Sequence, residues 1–198
     1  MIVAVILAHP NKTSFNHAIA QTALKALGRN RHEAVFHDLY EERFDPILPQ
    51  DELPSEAALP PGLADHCREL SSADGIIVVH PNWWGQPPAI LKGWVDRVFR
   101  AHVAYKFLEG DKGEGVPVGL LKARAALVFN TSNTAAVREL SVFGDPLEAL
   151  WRNCVFGLCG VSAFYRSTFA VVVTSTAEQR RKWLEEVEET VNRYFPAE

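Results

Sequence analysis

A chain of 198 residues, 47% of them hydrophobic, can enclose one substantial core but is short for two, so a single domain spanning 1–198 is expected. The formal charge of −4, with Lys and Arg scattered along the chain, leaves no electrostatic footprint for nucleic acid or an anionic membrane, and small-molecule chemistry is the class that remains. No apolar stretch reaches the roughly 18 residues of a membrane span, and the run after Met1 is too short and lacks the basic flank of a signal segment, so a cytoplasmic protein without membrane insertion is expected.

The first element is Ile2-Val-Ala-Val-Ile-Leu-Ala8, a continuous apolar run of the kind found in a parallel strand covered on both faces. Ser14 is placed to cap a following helix in which Ala18, Ile19, Ala23, Leu24 and Leu27 recur at helical spacing, with Gly28 as the expected stop. Ala34-Val35-Phe36 and Gly75 to Val79 read as the second and third strands. Between them, the Pro- and acid-rich stretch from Phe44 to Pro61 is expected to run over one edge of the sheet and bury Phe44, Ile47, Leu48, Leu53 and Leu59. A helix from Ala89 to Phe99 follows the Pro87-Pro88 pair. On it Lys92, Asp96 and Arg97 are expected to form a solvated, salt-bridged face. Leu108 to Gly119 has the composition of a surface loop. Ala125 to Phe129 is the fourth strand, Leu147 to Leu158 a helix, Ala163 to Val173 the fifth strand region, and Glu178 to Tyr194 a closing amphipathic helix. Strands alternating with helices in this way imply an α/β three-layer sandwich around a five-stranded parallel sheet. Cys67, Cys154 and Cys159 form no C-x-x-C pair and are expected to be buried thiols.

In such a sheet the binding crevice lies beyond the carboxyl ends of the strands, beside the point where strand order reverses. After the first strand, His9-Pro-Asn-Lys-Thr-Ser-Phe-Asn16 combines hydroxyl, amide and Lys donors with the open N–H groups of a helix start, an anion cradle in which Ser14 and Asn16 serve both helix and ligand. After the third, His80-Pro81-Asn82-Trp83-Trp84-Gly85 sets two tryptophans on a loop, a pattern suited to stacking on a flat heteroaromatic ring. After the fourth, Asn130-Thr131-Ser132-Asn133-Thr134 adds small hydrogen-bonding side chains for a ring edge. His9 and His80 would be neighbours, but no third residue completes a metal site, and no metal is expected. Ser14 with His9 lacks both a Gly-x-Ser-x-Gly elbow and an evident acid, which argues against hydrolase chemistry.

Ala8 to Asn16, His37-Asp-Leu-Tyr40 through Phe44-Asp-Pro46, and Pro88-Ala-Ile-Leu-Lys-Gly-Trp-Val-Asp-Arg-Val-Phe99 together resemble the NAD(P)H dehydrogenase (quinone) family of flavodoxin-like fold. That family includes the mammalian DT-diaphorases, bacterial quinone reductases and the ancillary flavoproteins of potassium-efflux systems. The resemblance extends from residue 2 to about 170. It implies a bound flavin, FMN or FAD, that accepts a hydride from NAD(P)H and passes it to a quinone-like acceptor with ping-pong kinetics. It also implies that His9, Phe15 and Asn16 hold the phosphate and ribityl region, that Asn82, Trp83, Trp84 and Gly85 line the ring system, and that Asn130 to Asn133 meet its pyrimidine edge. Tyr105 and Phe107 would reach the acceptor pocket of a neighbouring subunit in a homodimer. A chain of this length lacks the C-terminal extension of the longer members, which favours FMN.

The chain departs from the family pattern in three respects. Asn130-Thr-Ser-Asn133 replaces a Thr-Thr-Gly-Gly turn, Val137 and Phe143 stand where a Tyr and a His assist hydride transfer, and Gly85 replaces an aromatic that Trp83 would have to substitute. No proton relay is therefore carried over, and no catalytic side chain is assigned. Two other readings use the same fold: a one-electron flavodoxin carrier, for which the charge is too balanced and Tyr105 to Leu108 too well suited to covering the site, and a flavin-binding regulatory subunit of an efflux system.

Overall fold

The computed structural model describes residues 1–108, 115 and 117–197. Its centre is a five-stranded, all-parallel sheet formed by β1 (Ile2–Leu7), β2 (Glu33–Asp38), β3 (Gly75–Pro81), β6 (Ala125–Ser132) and β7 (Ala163–Ala170), in the order β2-β1-β3-β6-β7. Two further short strands, β4 (Tyr105–Lys106) and β5 (Val118–Gly119), form a separate antiparallel ribbon.

The apolar runs are unbroken because both faces of the sheet are covered and successive side chains point to opposite sides. Val3, Val5 and Leu7 of β1, with Ile77, Val79, Leu127 and Phe129, pack under α1 (Phe15–Arg29) and α6 (Ala177–Tyr194). Ala4 and Ile6, with Ile76, Val78, Ala126 and Val128, pack on the other face under α2 (Pro61–Ser72) and α3 (Ala89–Val98). This second layer is completed by α5 (Pro146–Glu148), which continues as a π-helical segment (Ala149–Gly157) carrying Trp151, Val155 and Phe156 into the core. Each fully buried Val, Leu or Ile contributes about 1.5–3 kcal/mol, so the inner strands β1, β3 and β6 hold the two layers together.

Several expectations are corrected. Helix α1 runs through Gly28 to Arg29 and is capped by Asn30, whose Nδ2 donates to Asn192 Oδ1 and to the Phe195 carbonyl at 2.8 Å each. Docking against α6 thus supplies the stop, and Arg31 takes the left-handed turn at φ 64°. Two helices were not anticipated, α2 and α4 (Ala136–Phe143). The edge stretch from Phe44 to Pro61 half-buries Phe44 and Leu59 but leaves Ile47, Leu48 and Leu53 exposed. What holds it down is polar: Arg97 of α3, expected at the surface, is buried and forks onto Glu52 at 2.6 and 2.9 Å while donating to the Asp45 carbonyl. Lys92 and Asp96 do form the exposed pair expected of them. The stretch crosses α3 at Gly93, where a Cβ would come within 2.2 Å of the Pro46 carbonyl oxygen.

Of the loop expected between Leu108 and Gly119, residues 109–114 and 116 lie outside the described residues, and Val118–Gly119 is strand rather than loop. Trp94 and Val98 belong to the core, so neither is available to drive association of subunits. Cys67 and Cys159 are buried and burial raises both thiols, Cys159 to about 11, whereas Cys154 is exposed. Among the described residues no helix is long and apolar enough to cross a membrane.

Candidate active site

The reversal of strand order falls between β1 and β3, and there the loops after β1, β3 and β6 enclose a cleft of about 730 Å³. That volume lies within the range of small-molecule and cofactor sites. Of the residues expected to hold a ligand, His9, Ser14, Phe15, Asn16, Pro81, Asn82, Trp83, Trp84, Gly85, Thr131, Ser132 and Asn133 all line it. Asn130 does not. Its side chain is fully buried beneath the rim, and its Oδ1 accepts from Arg166 Nη1 at 3.1 Å and Thr168 Oγ1 at 3.2 Å. Tyr105 and Phe107 also lie away from the cleft, on and just after β4, packed edge to face at 5.9 Å with Phe107 47% exposed.

The loop after β1 is organised by its own side chains. Asn11 Oδ1 accepts from the Thr13 backbone N–H and hydroxyl, and the Asn11 N–H donates to His9 Nδ1, which leaves the His9 proton on Nε2. Partial burial lowers the His9 pKa, so the ring is neutral at pH 7. Asn16, 2% exposed on the first turn of α1, donates from Nδ2 to Thr131 Oγ1 at 3.0 Å and so ties this loop to the one after β6.

After β3 the chain makes a tight turn. Trp83 and Gln86 exchange backbone hydrogen bonds, and the two residues between them, Trp84 and Gly85, have φ of 58° and 72°. Positive φ at both central positions is the pattern of a type I′ turn. Gly85 is required twice over, since a Cβ there would also meet Pro146 Cγ at 2.8 Å. The backbone conformation of Trp84 costs about 1–2 kcal/mol, and its side chain is fully solvent-exposed, so no packing among the described residues offsets it. Trp84→Asn would create the Asn-Gly pair that this turn prefers. It is expected to raise stability by about 0.5–1 kcal/mol in denaturant melts while weakening binding of any ring that stacks at the mouth. An unchanged midpoint would show the turn to be unstrained.

Behind this turn, Asn82 donates from Nδ2 to Glu139 Oε1 at 2.9 Å. His80, expected as a neighbour of His9 at the strand ends, is fully buried with both ring nitrogens engaged: Nδ1–H donates to the Pro81 carbonyl at 2.8 Å, and Nε2 accepts from Trp151 Nε1–H at 3.0 Å. Burial drives its pKa down to about 4, and the neutral ring is a structural bolt beneath the site. On the β6 side, Ser132 Oγ accepts the Thr134 N–H and Asn133 Oδ1 accepts the Val173 N–H.

Thr13 and Thr134, which belong to the loops after β1 and β6 named from the sequence, and Phe143 also line the cleft, together with Glu139, Pro146, Val172, Val173 and Arg180, which sequence reasoning missed. Arg180, on the first turn of α6, could not be placed without the fold.

The lining fits a flavin. Two buried acceptors, Asn16 Oδ1 and Asn82 Oδ1, have no hydrogen-bond donor among the described residues, and both belong to the cleft, where hydroxyl or N–H groups of a ligand would satisfy them. The N-terminus of α1 faces the same space and favours an anionic group.

A separate cluster, His37, Glu42 and His66, brings potential metal-ligating atoms within 4.8 Å of one another. Its hydrogen bonds close without an ion: His37 bridges Glu42 and Glu69 at 2.9 Å each, and His66 accepts from Trp94 Nε1–H while its other nitrogen faces Glu42. Burial opposes charge on His37, but Glu42 and Glu69 outweigh it and raise the pKa. Glu42, despite its own burial, is held at about 2 by His37 and His66.

Comparisons with known proteins agree with this architecture. A family model described as flavodoxin-like fold matches residues 1–193. An NAD(P)H oxidoreductase of Haemophilus influenzae is 36% identical over 162 residues, covering 79% of this chain and 77% of its own. NAD(P)H dehydrogenase (quinone) 1 of Cavia porcellus is 33% identical over 168 residues, covering 74% of this chain but 59% of its own, so the chain spans less than two thirds of that relative. A crystal structure from Streptococcus mutans superposes with a TM-score of 0.85 at 28% identity, covering 98% of this chain and all of the other. With the family model matched from residue 1 to 193, the chain belongs to the flavodoxin-like family, and the relatives it resembles are named NAD(P)H oxidoreductase and NAD(P)H dehydrogenase (quinone).

Proposed function

We propose that the whole chain acts as one flavin-binding domain of a cytoplasmic oxidoreductase that takes a hydride from NAD(P)H and delivers it to a quinone-like acceptor by a ping-pong sequence. The observation that carries this reading is the cleft at the strand-order reversal, with an anion-favouring helix start at one end, an indole turn at its mouth and two buried acceptors in its wall. A bound flavin supplies the hydride chemistry. The protein's residues bind and orient. Ser14 and the open N–H groups of α1 receive the phosphate, Asn16 and Asn82 accept hydroxyl or N–H donors, and Trp83 offers an aromatic face. The Thr131 and Ser132 hydroxyls stand where donors would stabilise negative charge at a ring edge. FMN is the cofactor this site needs at minimum.

A second reading, FAD, is favoured by a specific feature. A shallower hollow of about 500 Å³ shares Thr13, Ser14, Phe15 and Arg180 with the cleft and extends along Ala177, Arg181 and Leu184, room for an adenylate beyond the phosphate. We further infer a homodimer in which Tyr105 and Phe107 of one subunit complete the acceptor pocket of the other. Supporting it, Val137, Leu140, Val142 and Phe143 of α4 form an exposed apolar patch beside the cleft, and such patches mark interaction surfaces.

The test is direct. Apo-protein titrated with FMN should quench flavin fluorescence at micromolar concentration, and the loaded protein should oxidise NADH or NADPH in the presence of benzoquinone with parallel double-reciprocal plots. Light scattering should give twice the chain mass, and chromatography of released flavin separates FMN from FAD. Absence of quenching with either flavin would overturn the reading.

A further inference from the structure

At the phosphate end of the cleft lies a hydrogen-bonded chain that no local sequence pattern reveals. Ser14 Oγ is 3.0 Å from His17 Nδ1, and His17 Nε2 is 3.1 Å from Asp38 Oδ2. The first turn of α1 stacks His17 over its capping residue Ser14, and the pairing of β1 with β2 brings Asp38, the last residue of β2, alongside. The acid missing from the sequence reading of Ser14 is therefore present, reached through His17 rather than His9. Asp38 is pinned from behind, since its Oδ1 accepts the Tyr40 and Glu41 N–H groups at 3.2 and 3.3 Å. The side chains of His17 and Asp38 are each 14% exposed. The other titratable groups facing the pair are the His9 ring, perpendicular at 6.3 Å, and the exposed Lys12–Glu41 ion pair.

The protons in this chain can be counted. A serine hydroxyl has one proton to donate. The Asp38 carboxylate only accepts, so His17 must carry a proton on Nε2, and the opposite tautomer would set a lone pair against the carboxylate at 3.1 Å. If His17 is neutral, Nδ1 is bare and Ser14 must donate to it, so the hydroxyl presents only lone pairs to the cleft. If His17 carries both ring protons, Nδ1–H donates to Ser14 Oγ and the hydroxyl proton is free to turn into the cleft. A phosphate ester at neutral pH is an acceptor through its charged oxygens, and only the second arrangement meets it with a donor.

We propose that His17, held by Asp38, is a positioning residue that takes up a proton when the flavin phosphate binds and so converts Ser14 from acceptor to phosphate donor. The proposal rests on the flavin reading above and deepens it: phosphate-bearing flavins are distinguished from riboflavin by a proton-coupled contact. Where His17 is neutral in the free protein, each phosphate-bearing flavin bound brings in one proton, and its affinity falls by up to about tenfold per pH unit. Riboflavin, with no phosphate, is bound without that cost. The phosphate of FMN itself loses its second proton at about pH 6, which acts in the opposite direction, so the informative quantity is the difference between the protein and its variants.

Apo-protein, His17→Gln and Asp38→Asn are titrated with FMN and with riboflavin from about pH 6 to about pH 9. Protons are counted by calorimetry in two buffers of different ionisation enthalpy. At the acidic end both variants are expected to bind FMN about tenfold more weakly than the unmodified protein while riboflavin affinity stays within about twofold, which also serves as the check on folding. The deficit in FMN affinity should shrink as pH rises, and FMN binding should take up more protons in the unmodified protein than in His17→Gln. Equal losses for the two flavins, or equal proton counts, would overturn the proposal and leave the flavin site standing. Failure of the unmodified protein to bind either flavin would overturn both.

Discussion

Arg166→Met is expected to lower the unfolding free energy by about 3 kcal/mol and to weaken flavin binding, although Arg166 is not among the residues that line the cleft. Its guanidinium, 8% exposed, donates to Glu148 Oε2 at 2.8 Å, Thr168 Oγ1 at 2.8 Å and Asn130 Oδ1 at 3.1 Å, and also pairs with Asp145. One planar cation thus joins the end of β6, strand β7 and the turn Gly144-Asp145-Pro146, both of whose first two residues are in the left-handed region. Pro146 is the residue that meets Gly85 at the cleft rim. The cost is placed at the lower end for a broken buried pair because Glu148 is 36% exposed and keeps Arg152 as a partner, whereas Asp145 loses its cation. Arg166→Lys should recover only part of the loss, since an ammonium cannot reproduce the fork. Urea unfolding and flavin titration of both variants check this, and flavin affinity unchanged in Arg166→Met would show the rim to be held by other contacts.

The second large effect is expected at Glu52→Ala. Glu52 and Arg97 have side chains 5% and 8% exposed, and removing the acid strands a buried guanidinium with one carbonyl, which costs about 3–5 kcal/mol. Replacing both by apolar residues of similar size, Glu52→Leu with Arg97→Met, should cost much less, because no charge is then left buried. None of the cleft-lining residues lies between Phe44 and Pro61, so flavin affinity per folded molecule should not move. Urea melts of the single and double variants decide the matter, and a double variant as unstable as Glu52→Ala would mean that shape rather than charge holds the excursion.

These two residues also show where reading a sequence stops. Strands β1, β3 and β6 were legible because burial on both faces forces unbroken apolar runs, and the three loops after them followed from the rule that ligands bind at carboxyl ends. Arg97 looked like its neighbours Lys92 and Asp96, because the partner that buries it lies 45 residues earlier in an irregular stretch. Helix α2 did leave a trace, Pro61 followed by Leu63, Cys67 and Leu70 at helical spacing, whereas α4 turns Val137 and Leu140 outward and so lacks a core-facing stripe. Asn130 carried the right chemistry at the right strand end, but strand alternation points it inward to Arg166 while Thr131, Ser132 and Asn133 reach the cleft. His17 and Asp38 meet only because β2 pairs with β1, and pairing of that kind is decided by the whole sheet.

The exposed turn at the cleft mouth has an optical consequence. Of the five tryptophans, Trp94 and Trp151 are enclosed in the core, while Trp84 stands entirely in water. A hydrated indole emits at longer wavelength than one in an apolar interior, so the red side of the emission band reports on Trp84 and on the part-exposed Trp83 beside it, and the blue side on the core. Whatever covers the mouth, whether an acceptor molecule or a second subunit, should shift or quench the red component and leave the blue one in place. The protein therefore carries an intrinsic probe that distinguishes closure of its site from unfolding of its core without any added label.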